Sequence, residues 1–235
     1  MNANSRWQEV ISENMASSTV PGYKRQDLSF SAVEAGNKGG AITGQHWSMP
    51  RASSNINFRQ GEMRYTGAPT DVAVEGAGFF EVAMPNGSHA YTRDGEFSIN
   101  AQGQLVTKQG YAVMGDTGPI SVSKSNSGPI SIGPDGQVTQ GTERLGKLQL
   151  VDFNNPNLLT PISSGYFISN NPSLRGESVR SPNVRQGFLE TANTSPVNEM
   201  ANLIGVMRSY ESNQKIVQLT DDRMSKAISE LGSPS

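Results

Sequence analysis

Apolar residues near the amino terminus recur at three- and four-residue steps, the spacing of one face of an α-helix. The stripe consists of Trp7, Val10, Ile11 and Met15, and the polar Asn14 follows the same spacing. It predicts a helix over the first nineteen residues. Pro21 and Gly22 end this helix, because proline lacks a backbone N–H and glycine accommodates a turn.

The next segment, residues 29–65, has no sustained periodicity. Gly39-Gly40 and Ser53-Ser54-Asn55 are typical of loops, and apolar residues such as Trp47 and Phe58 are scattered between them. We therefore expect an extended linker that packs against another part of the molecule.

Residues 66–185 are dominated by short alternating segments that are typical of β-strands. Asp71-Val-Ala-Val-Glu75 alternates, and the turn dipeptides Asn86-Gly87 and Asp94-Gly95 separate the segments that follow. Strands this short and this closely spaced predict an antiparallel β-domain, either a sandwich or a partly closed barrel.

The last fifty residues, 186–235, predict one long helix. Pro196 follows Ser195, a residue suited to the helix cap, and no other proline occurs before Pro234. A helix of about 35 residues would be about 50 Å long at 1.5 Å per residue.

A seven-residue repeat runs along this helix. The a positions are Met200, Met207, Gln214, Asp221 and Ile228, and the d positions are Leu203, Tyr210, Val217, Met224 and Leu231. Such a repeat favours pairing of the two terminal helices as a coiled coil. We predict that the assembly interface consists of the amino-terminal stripe, Asn14 and these a and d positions other than Asp221. The alternative is a helix that lies on its own β-domain, but its length exceeds what a β-domain of this size would cover.

Composition excludes several classes of function. The net charge of −2 provides no basic excess for nucleic acid, and the chain contains no cysteine for disulfides, thiol nucleophiles or cysteine zinc sites. Apolar runs are far shorter than the ~20 residues of a membrane helix. The amino terminus lacks the basic and apolar regions of a secretory signal peptide.

Candidate catalytic groups are sparse, and we expect no catalytic residue, cofactor or metal. Gly76-Ala-Gly78 lacks the third glycine of a dinucleotide fingerprint, and the two histidines, His46 and His89, lie in segments of different character. The carboxylates that could form a glycosidase pair are Glu75, Glu81, Asp94 and Glu96. We interpret them as a solvated strand face. The alternative function is a carbohydrate-binding or hydrolytic β-domain with a helical oligomerisation tail.

Three groups of residues, in a fixed order, carry a resemblance to a known family. The groups are Gly22-Tyr23-Lys24; then Gly76, Gly78, Phe79 and Phe80 with Tyr91-Thr92-Arg93-Asp94-Gly95; then the run Gln186-Gly187-Phe188-Leu189-Glu190 with Asn193, Glu199, Met200, Arg208, Tyr210 and Glu211. Together they resemble the bacterial flagellar basal-body rod and hook proteins. The short chain and compact centre are most similar to the proximal type of rod protein, with the distal type as the alternative.

The resemblance implies a structural subunit of the flagellar rod and no enzyme. In that family the terminal helices pair antiparallel, and the copies stack helically to transmit torque from motor to hook. The implied partners are copies of the chain itself, other rod proteins and the flagellar type III export apparatus. The implied location is the basal body, reached without a cleaved signal peptide.

The changes of pattern along the chain divide it into four regions. We expect an amino-terminal helix over residues 1–28, the linker over 29–65, the β-domain over 66–185 and the long helix, paired with the first, over 186–235. The family's first helix normally begins further upstream, so we expect Met1 to be an internal methionine.

Overall fold

A computed structural model of the chain describes residues 2–34, 48–123, 128–163, 165–171 and 174–232. His46, Trp47 and the Gly39-Gly40 loop lie outside the described residues. The described chain is mainly β with one helix near each end, as the sequence predicts. The first helix is α1 (Asn2–Ala16) and the last is α2 (Pro196–Gly232).

Nineteen strands lie between the helices in the described residues, and most have three to five residues. The first nine are β1 (Gln26–Glu34), β2 (Ser48–Ile56), β3 (Met63–Tyr65), β4 (Val72–Val74), β5 (Phe79–Ala83), β6 (His89–Thr92), β7 (Phe97–Ile99), β8 (Leu105–Thr107) and β9 (Ala112–Gly115). The next five are β10 (Gly118–Pro119), β11 (Ile130–Ile132), β12 (Gln137–Gln140), β13 (Glu143–Lys147) and β14 (Leu150–Phe153). The last five are β15 (Thr160–Ser163), β16 (Tyr166–Ile168), β17 (Gly176–Ser178), β18 (Val184–Gln186) and β19 (Phe188–Glu190). A 3₁₀ turn, Pro156–Leu158, precedes β15.

A ten-stranded sheet forms the centre of the β-region. Its strands follow the order β15-β16-β6-β5-β9-β8-β7, with β10 on β9, β14 on β5 and β17 on β14. Smaller sheets pair β11-β12-β13, β18-β4 and β19-β3. All of the strand registers defined for these sheets are antiparallel, as the short strands and tight turns predict.

The core consists of the apolar side chains that alternate along these strands. One cluster contains Val72, Val74, Phe80, Val82 and Leu105 among its buried members, and a second contains Phe79, Phe153 and Phe167. Phe79 and Phe80 face different clusters because successive strand residues point to opposite faces. The Phe79-Phe80 pair therefore connects two layers of apolar packing.

The chain forms two compact units. α1, the β1–β2 sheet and α2 make up one unit. Residues 17–26 with residues 55–194 make up the other, which we call the β-unit. α1 ends at Ala16, slightly earlier than the sequence predicts, and α1 packs against α2. The pairing of β1 with β2 was not predicted for this part of the linker. In the described residues, neither helix has the length and apolar character that crossing a bilayer requires.

Candidate functional site

The three motif segments that carry the resemblance meet at one place in the β-unit, which we call the junction. Lys24 comes from the turn after α1, Arg93 from the loop after β6, and Glu190 from the end of β19. Glu190 Oε1 lies 2.5 Å from Lys24 Nζ, and Glu190 Oε2 lies 3.4 Å from Arg93 Nη1. The Lys24 and Glu190 side chains are each only 1% exposed.

Further donors and acceptors complete the polar shell of the junction. Gly61 N donates to Glu190 Oε1 at 2.9 Å, and Lys24 Nζ donates to Arg59 O at 2.9 Å. A buried carboxylate is stable only with such partners, because burial removes its hydration. Glu190 therefore holds together three segments that are far apart in sequence.

Burial dominates the protonation of both cations in the junction. It lowers the pKa of Lys24, and the neighbouring Glu190 carboxylate opposes that shift. It also lowers the pKa of Arg93, again against the attraction of Glu190. Arg93 gains a further contact from the ring of Phe79, whose centroid lies 5.2 Å from the guanidinium carbon.

Backbone contacts of Gly22 also join the segment after α1 to β19 and to the Arg93 loop. Gly22 N donates to Glu190 O at 2.7 Å. An added Cβ on Gly22 would lie 2.3 Å from Arg93 C, and the φ of Gly22 is +67°. Glycine is therefore required at this position by both its conformation and the close approach of the Arg93 loop.

Asn193, in the segment between β19 and α2, also belongs to the junction. Its Oδ1 accepts the backbone N–H of Arg25 at 2.7 Å. Its Nδ2 donates to Asn57 O at 2.7 Å and to Arg59 O at 2.9 Å. One amide side chain thus satisfies three backbone groups, a match that depends on having both a donor and an acceptor.

Asp94 lies beside the junction and is also buried. Its Oδ1 accepts the backbone N–H of Glu96 at 3.0 Å. Burial raises the pKa of Asp94 to about 6. The expectation that the four candidate carboxylates form a solvated face is therefore wrong for Asp94, because the Asp94-Gly95 turn folds against the core.

The other three carboxylates make structural contacts. Glu75 pairs with Arg185 at 2.9 Å, and Glu81 pairs with His89 at 2.8 Å. Glu96 lies 3.6 Å from Lys108. The described residues contain no group of three or more His, Asp or Glu side chains placed to hold a metal ion. Structural pairing is thus the role that these contacts support for the carboxylates.

The residues predicted for the assembly interface have different environments. On α1, Val10, Ile11 and Asn14 are buried, Met15 is half-buried and Trp7 is exposed. On α2, the d positions Leu203 and Tyr210 are half-buried. The remaining described side chains of the predicted set are exposed, namely Met200, Met207, Gln214, Val217, Met224 and Ile228; Leu231 lies within α2.

The buried positions of α2 differ by one residue from the predicted a series. Glu199 and Val206 are buried, whereas the adjacent Met200 and Met207 are exposed. The buried or half-buried row is thus Glu199, Leu203, Val206 and Tyr210. It keeps the first two predicted d positions, Leu203 and Tyr210, and it leaves Met200 and Met207, at predicted a positions, on the surface of the chain.

The residues of the central motif also separate into two groups. Gly78, Phe79, Phe80, Thr92, Arg93, Asp94 and Gly95 are buried, whereas Gly76 is exposed and Tyr91 is half-buried. In the carboxy-terminal motif, Arg208 and Glu211 are exposed on α2. The motif residues of the β-unit therefore mainly build the junction and the core around it.

Glu190 belongs to a family motif, but the sequence alone does not identify it as a site residue. The available signal was local: a lone carboxylate directly after Phe188-Leu189, at the end of a short strand. That signal indicates a special position but not the partner, since Lys24 lies 166 positions away.

Comparisons with known proteins agree with the sequence resemblance. The family described as the flagellar hook protein FlgE/F/G D1 domain matches residues 73–140. The family described as the flagellar basal body rod FlgEFG protein C-terminal matches residues 185–230. The first match includes the Arg93 loop, and the second begins just before β19 and extends through most of α2.

Individual relatives cover nearly the whole chain. The flagellar basal-body rod protein FlgF of Caulobacter vibrioides is 32% identical, over 95% of this chain and 91% of the relative. The flagellar basal-body rod protein FlgG of Buchnera aphidicola subsp. Acyrthosiphon pisum is 34% identical, over 94% of this chain and 92% of the relative. FlgG of Borreliella burgdorferi is 30% identical, over 92% of this chain and 89% of the relative.

Proposed function

Since the chain belongs to the flagellar basal-body rod protein family, we propose that α2 joins it to neighbouring subunits of the rod. Its function is that of a structural subunit in the basal body. The observation that carries the proposal is the exposure of apolar side chains on α2. Nine large apolar side chains on this helix are at least 48% exposed in the single chain. A surface of this kind is typical of a protein-protein contact.

The length of α1 limits how much of this surface one copy covers. α1 has 15 residues, and α2 has 37. At 1.5 Å per residue these lengths are about 22 Å and about 55 Å. All of the α2 side chains described between positions 211 and 226 are exposed. We infer that helices of neighbouring subunits cover this half of α2.

Val217 and Met224 continue the row of d positions that begins with Leu203 and Tyr210. This continuation supports a coiled-coil contact in which the first part of the row packs within one copy and the second part packs between copies. Fully burying an apolar side chain of this size contributes about 1.5–3 kcal/mol before entropy costs. A few such residues per subunit are enough to favour assembly.

Repetition of one head-to-tail contact produces a helical filament when the rotation between successive copies does not close into a ring. The partners are accordingly copies of this chain and other rod proteins, and the rod they build transmits torque from motor to hook. We further propose that the flagellar type III apparatus exports the chain without a cleaved signal peptide. The terminal helices would then become fully ordered on assembly, since an isolated helix is marginally stable in water.

The test compares Val217→Asp with Gln218→Asp in the full chain, expressed in a flagellated bacterium that lacks its own copy. Both changes add the same charge to neighbouring, exposed helix positions. We expect Val217→Asp to abolish incorporation into rods and swimming, while thermal unfolding of the β-unit is unchanged. Gln218→Asp should swim normally. Normal swimming of the Val217→Asp strain would refute the proposed role of the exposed apolar residues of α2.

A further inference from the structure

The most exposed methionines of the described chain lie on one element, the helix α2. Met200, Met207 and Met224 are 53%, 49% and 64% exposed. Because an oxidant must reach the thioether sulfur, exposure favours its reaction. Access for an oxidant from solvent is therefore concentrated on α2. The other methionines whose side chains are described are half-buried, namely Met15, Met63, Met84 and Met114.

Two of the exposed methionines belong to an exposed apolar row on the first part of α2. The row consists of Val197, Met200, Ile204 and Met207, which follow one another at steps of three or four positions and so share one face of the helix. Each of them is at least 49% exposed. The adjacent Glu199 is buried, so the exposed row is separate from the face of α2 that packs within one copy.

Met224 lies in the second half of α2 and has a similar environment. Val217 is two helical turns before it, and Ile228 is one turn after it. Both side chains are exposed. The thioether of Met224 thus also lies in an apolar surface that the described part of the same copy leaves uncovered.

We propose that Met200, Met207 and Met224 form an oxidation-sensitive site, and that their oxidation by a peroxide prevents the unassembled chain from entering the rod. We call these three residues the methionine site. Each sulfur uses a lone pair to form a bond to one peroxide oxygen, the O–O bond breaks, and the rest of hydrogen peroxide leaves as water. The sulfur is thereby oxidised to a sulfoxide, and the peroxide is reduced by two electrons.

The sulfoxide changes the surface that the proposed contact would bury. Its oxygen is polar, and burying it without a hydrogen-bond donor is unfavourable. In the exposed row its neighbours are the aliphatic side chains of Val197 and Ile204, which have no donor. The effect on assembly rests on the proposed function, because it requires that this surface of α2 becomes buried between copies.

The same chemistry makes the change reversible. A methionine sulfoxide reductase returns the thioether, with two thiols oxidised to a disulfide and the oxygen released as water. The chain contains no cysteine, so the thiols come from the reductase system. Oxidation of the methionine site therefore acts as a switch between a form of the chain that assembles and a form that does not.

Limited oxidation tests the site in the unmodified chain. The purified full chain is exposed to dilute hydrogen peroxide, and mass spectrometry of its peptides follows the sulfoxide fraction of each methionine with time. We expect the three residues of the methionine site to be oxidised severalfold faster than Met63, Met84 and Met114. Equal rates for the two groups would overturn the inference, whatever the role of α2.

Assembly is then measured on the same partly oxidised molecules. The peroxide is removed, the chain is allowed to assemble, and sedimentation separates assembled from free copies. We expect the assembled fraction to contain severalfold less sulfoxide at the methionine site than the free fraction. The two fractions should not differ at Met63, Met84 and Met114, which serve as an internal control. Treatment with methionine sulfoxide reductase should restore incorporation. Equal sulfoxide content of the methionine site in both fractions would overturn the inference.

A leucine variant gives a second, independent measurement, since leucine is close to methionine in volume and helix propensity. The variant Met200→Leu/Met207→Leu/Met224→Leu should assemble normally and should keep its incorporation after peroxide treatment. The matched control replaces Met63, Met84 and Met114 with leucine, and it should lose incorporation severalfold, as the unmodified chain does. Equal peroxide sensitivity of the two variants would contradict the inference.

The failure of this inference is distinguishable from the failure of the proposed function. If Val217→Asp blocks assembly but the oxidised chain assembles normally, the methionine site is refuted and the role of α2 stands. If Val217→Asp itself forms normal rods, the role of α2 is refuted, and the proposed effect of oxidation on assembly is refuted with it.

Discussion

Lys24 Nζ lies 2.5 Å from Glu190 Oε1, although the two residues are 166 positions apart in the chain. Lys24 follows the first helix, and Glu190 precedes the last one. Their contact therefore brings the two ends of the β-unit together at one buried ion cluster. The cluster is costly to break from one side, because the remaining charges would stay buried without a partner.

Glu190→Gln tests the strength of the junction. The variant leaves Lys24 and Arg93 buried without their carboxylate, so we expect the free energy of unfolding to fall by about 3–5 kcal/mol. The measurement is urea unfolding at neutral pH. Glu75→Gln is the control, since Glu75 pairs with Arg185 near the surface, and its effect should be below about 1 kcal/mol. Equal effects of the two variants would contradict the importance of burial.

Asp94 should make stability depend on pH. Its pKa is raised to about 6 by burial, whereas an unfolded aspartate titrates near its ordinary value of about 3.9. The folded state therefore binds the proton more tightly, and the free energy of unfolding falls as pH rises from about 4 to about 6. The total loss is on the order of 3 kcal/mol, and stability is then level with respect to this group at higher pH.

Asp94→Asn should remove that part of the pH dependence, because asparagine stays neutral and its Oδ1 still accepts the Glu96 N–H. Urea unfolding between pH 4 and pH 8 measures the difference from the unmodified chain. Asp135→Asn is a matched control, because the exposed Asp135 accepts the N–H of Gln137 in the same local geometry, at 3.1 Å. If both variants keep the original slope, the buried carboxyl is not its source.

Gly95→Ala should destabilise the β-unit by steric conflict. A Cβ at this position would lie 1.6 Å from Val72 O, so the backbone of the core strand would have to move. We expect a loss of at least about 2 kcal/mol in thermal or urea unfolding. Gly205→Ala should have the opposite sign, about 1 kcal/mol stabilising within α2, because its Cβ meets nothing within 4 Å. A neutral Gly95→Ala would show that the approach of Val72 is easily relaxed.

Asn193→Asp tests whether the junction needs an amide rather than any polar group. The change replaces the Nδ2 donor with an oxygen that faces Asn57 O and Arg59 O. We expect a loss of about 1–3 kcal/mol, because the two Nδ2 hydrogen bonds are lost and the new carboxylate repels the carbonyl oxygens, and part of it should be recovered in acid when the new carboxyl is protonated. Asn183→Asp, whose Nδ2 donates to Glu75 on the exposed side, is the control and should cost less. Matching losses at both positions would argue against a special role for Asn193.

Local patterns were sufficient to predict the main elements. Pro196 marks the first residue of α2, and the alternating Asp71–Glu75 segment contains β4. These features depend on interactions between residues close in sequence, and such interactions leave a readable periodicity. Of the predicted d positions, Leu203 and Tyr210 are half-buried, and the coiled-coil pairing that the repeat favours stays a prediction.

Non-local features were less accessible from one sequence. The partner of Glu190 and the burial of Asp94 depend on contacts between segments that are distant in sequence. The spacing of residues along the chain does not indicate which distant segments come into contact. The shift of the buried row from Met200 to Glu199 has a similar cause, since the choice between adjacent helix positions depends on the surface that packs against them. The resemblance identified the residues involved, but the geometry gave them their roles.

The backbone bonds between Gly22 and Glu190 and between Tyr23 and Asn193 have a mechanical consequence. A force applied through the segment that follows α1 or through the segment that precedes α2 acts on the same contacts, because these two segments are hydrogen-bonded to each other. We therefore expect these bonds to rupture together when the β-unit is pulled by its ends. Under a twisting load, we therefore expect the segment around Gly22 and the segment around Glu190 to move together.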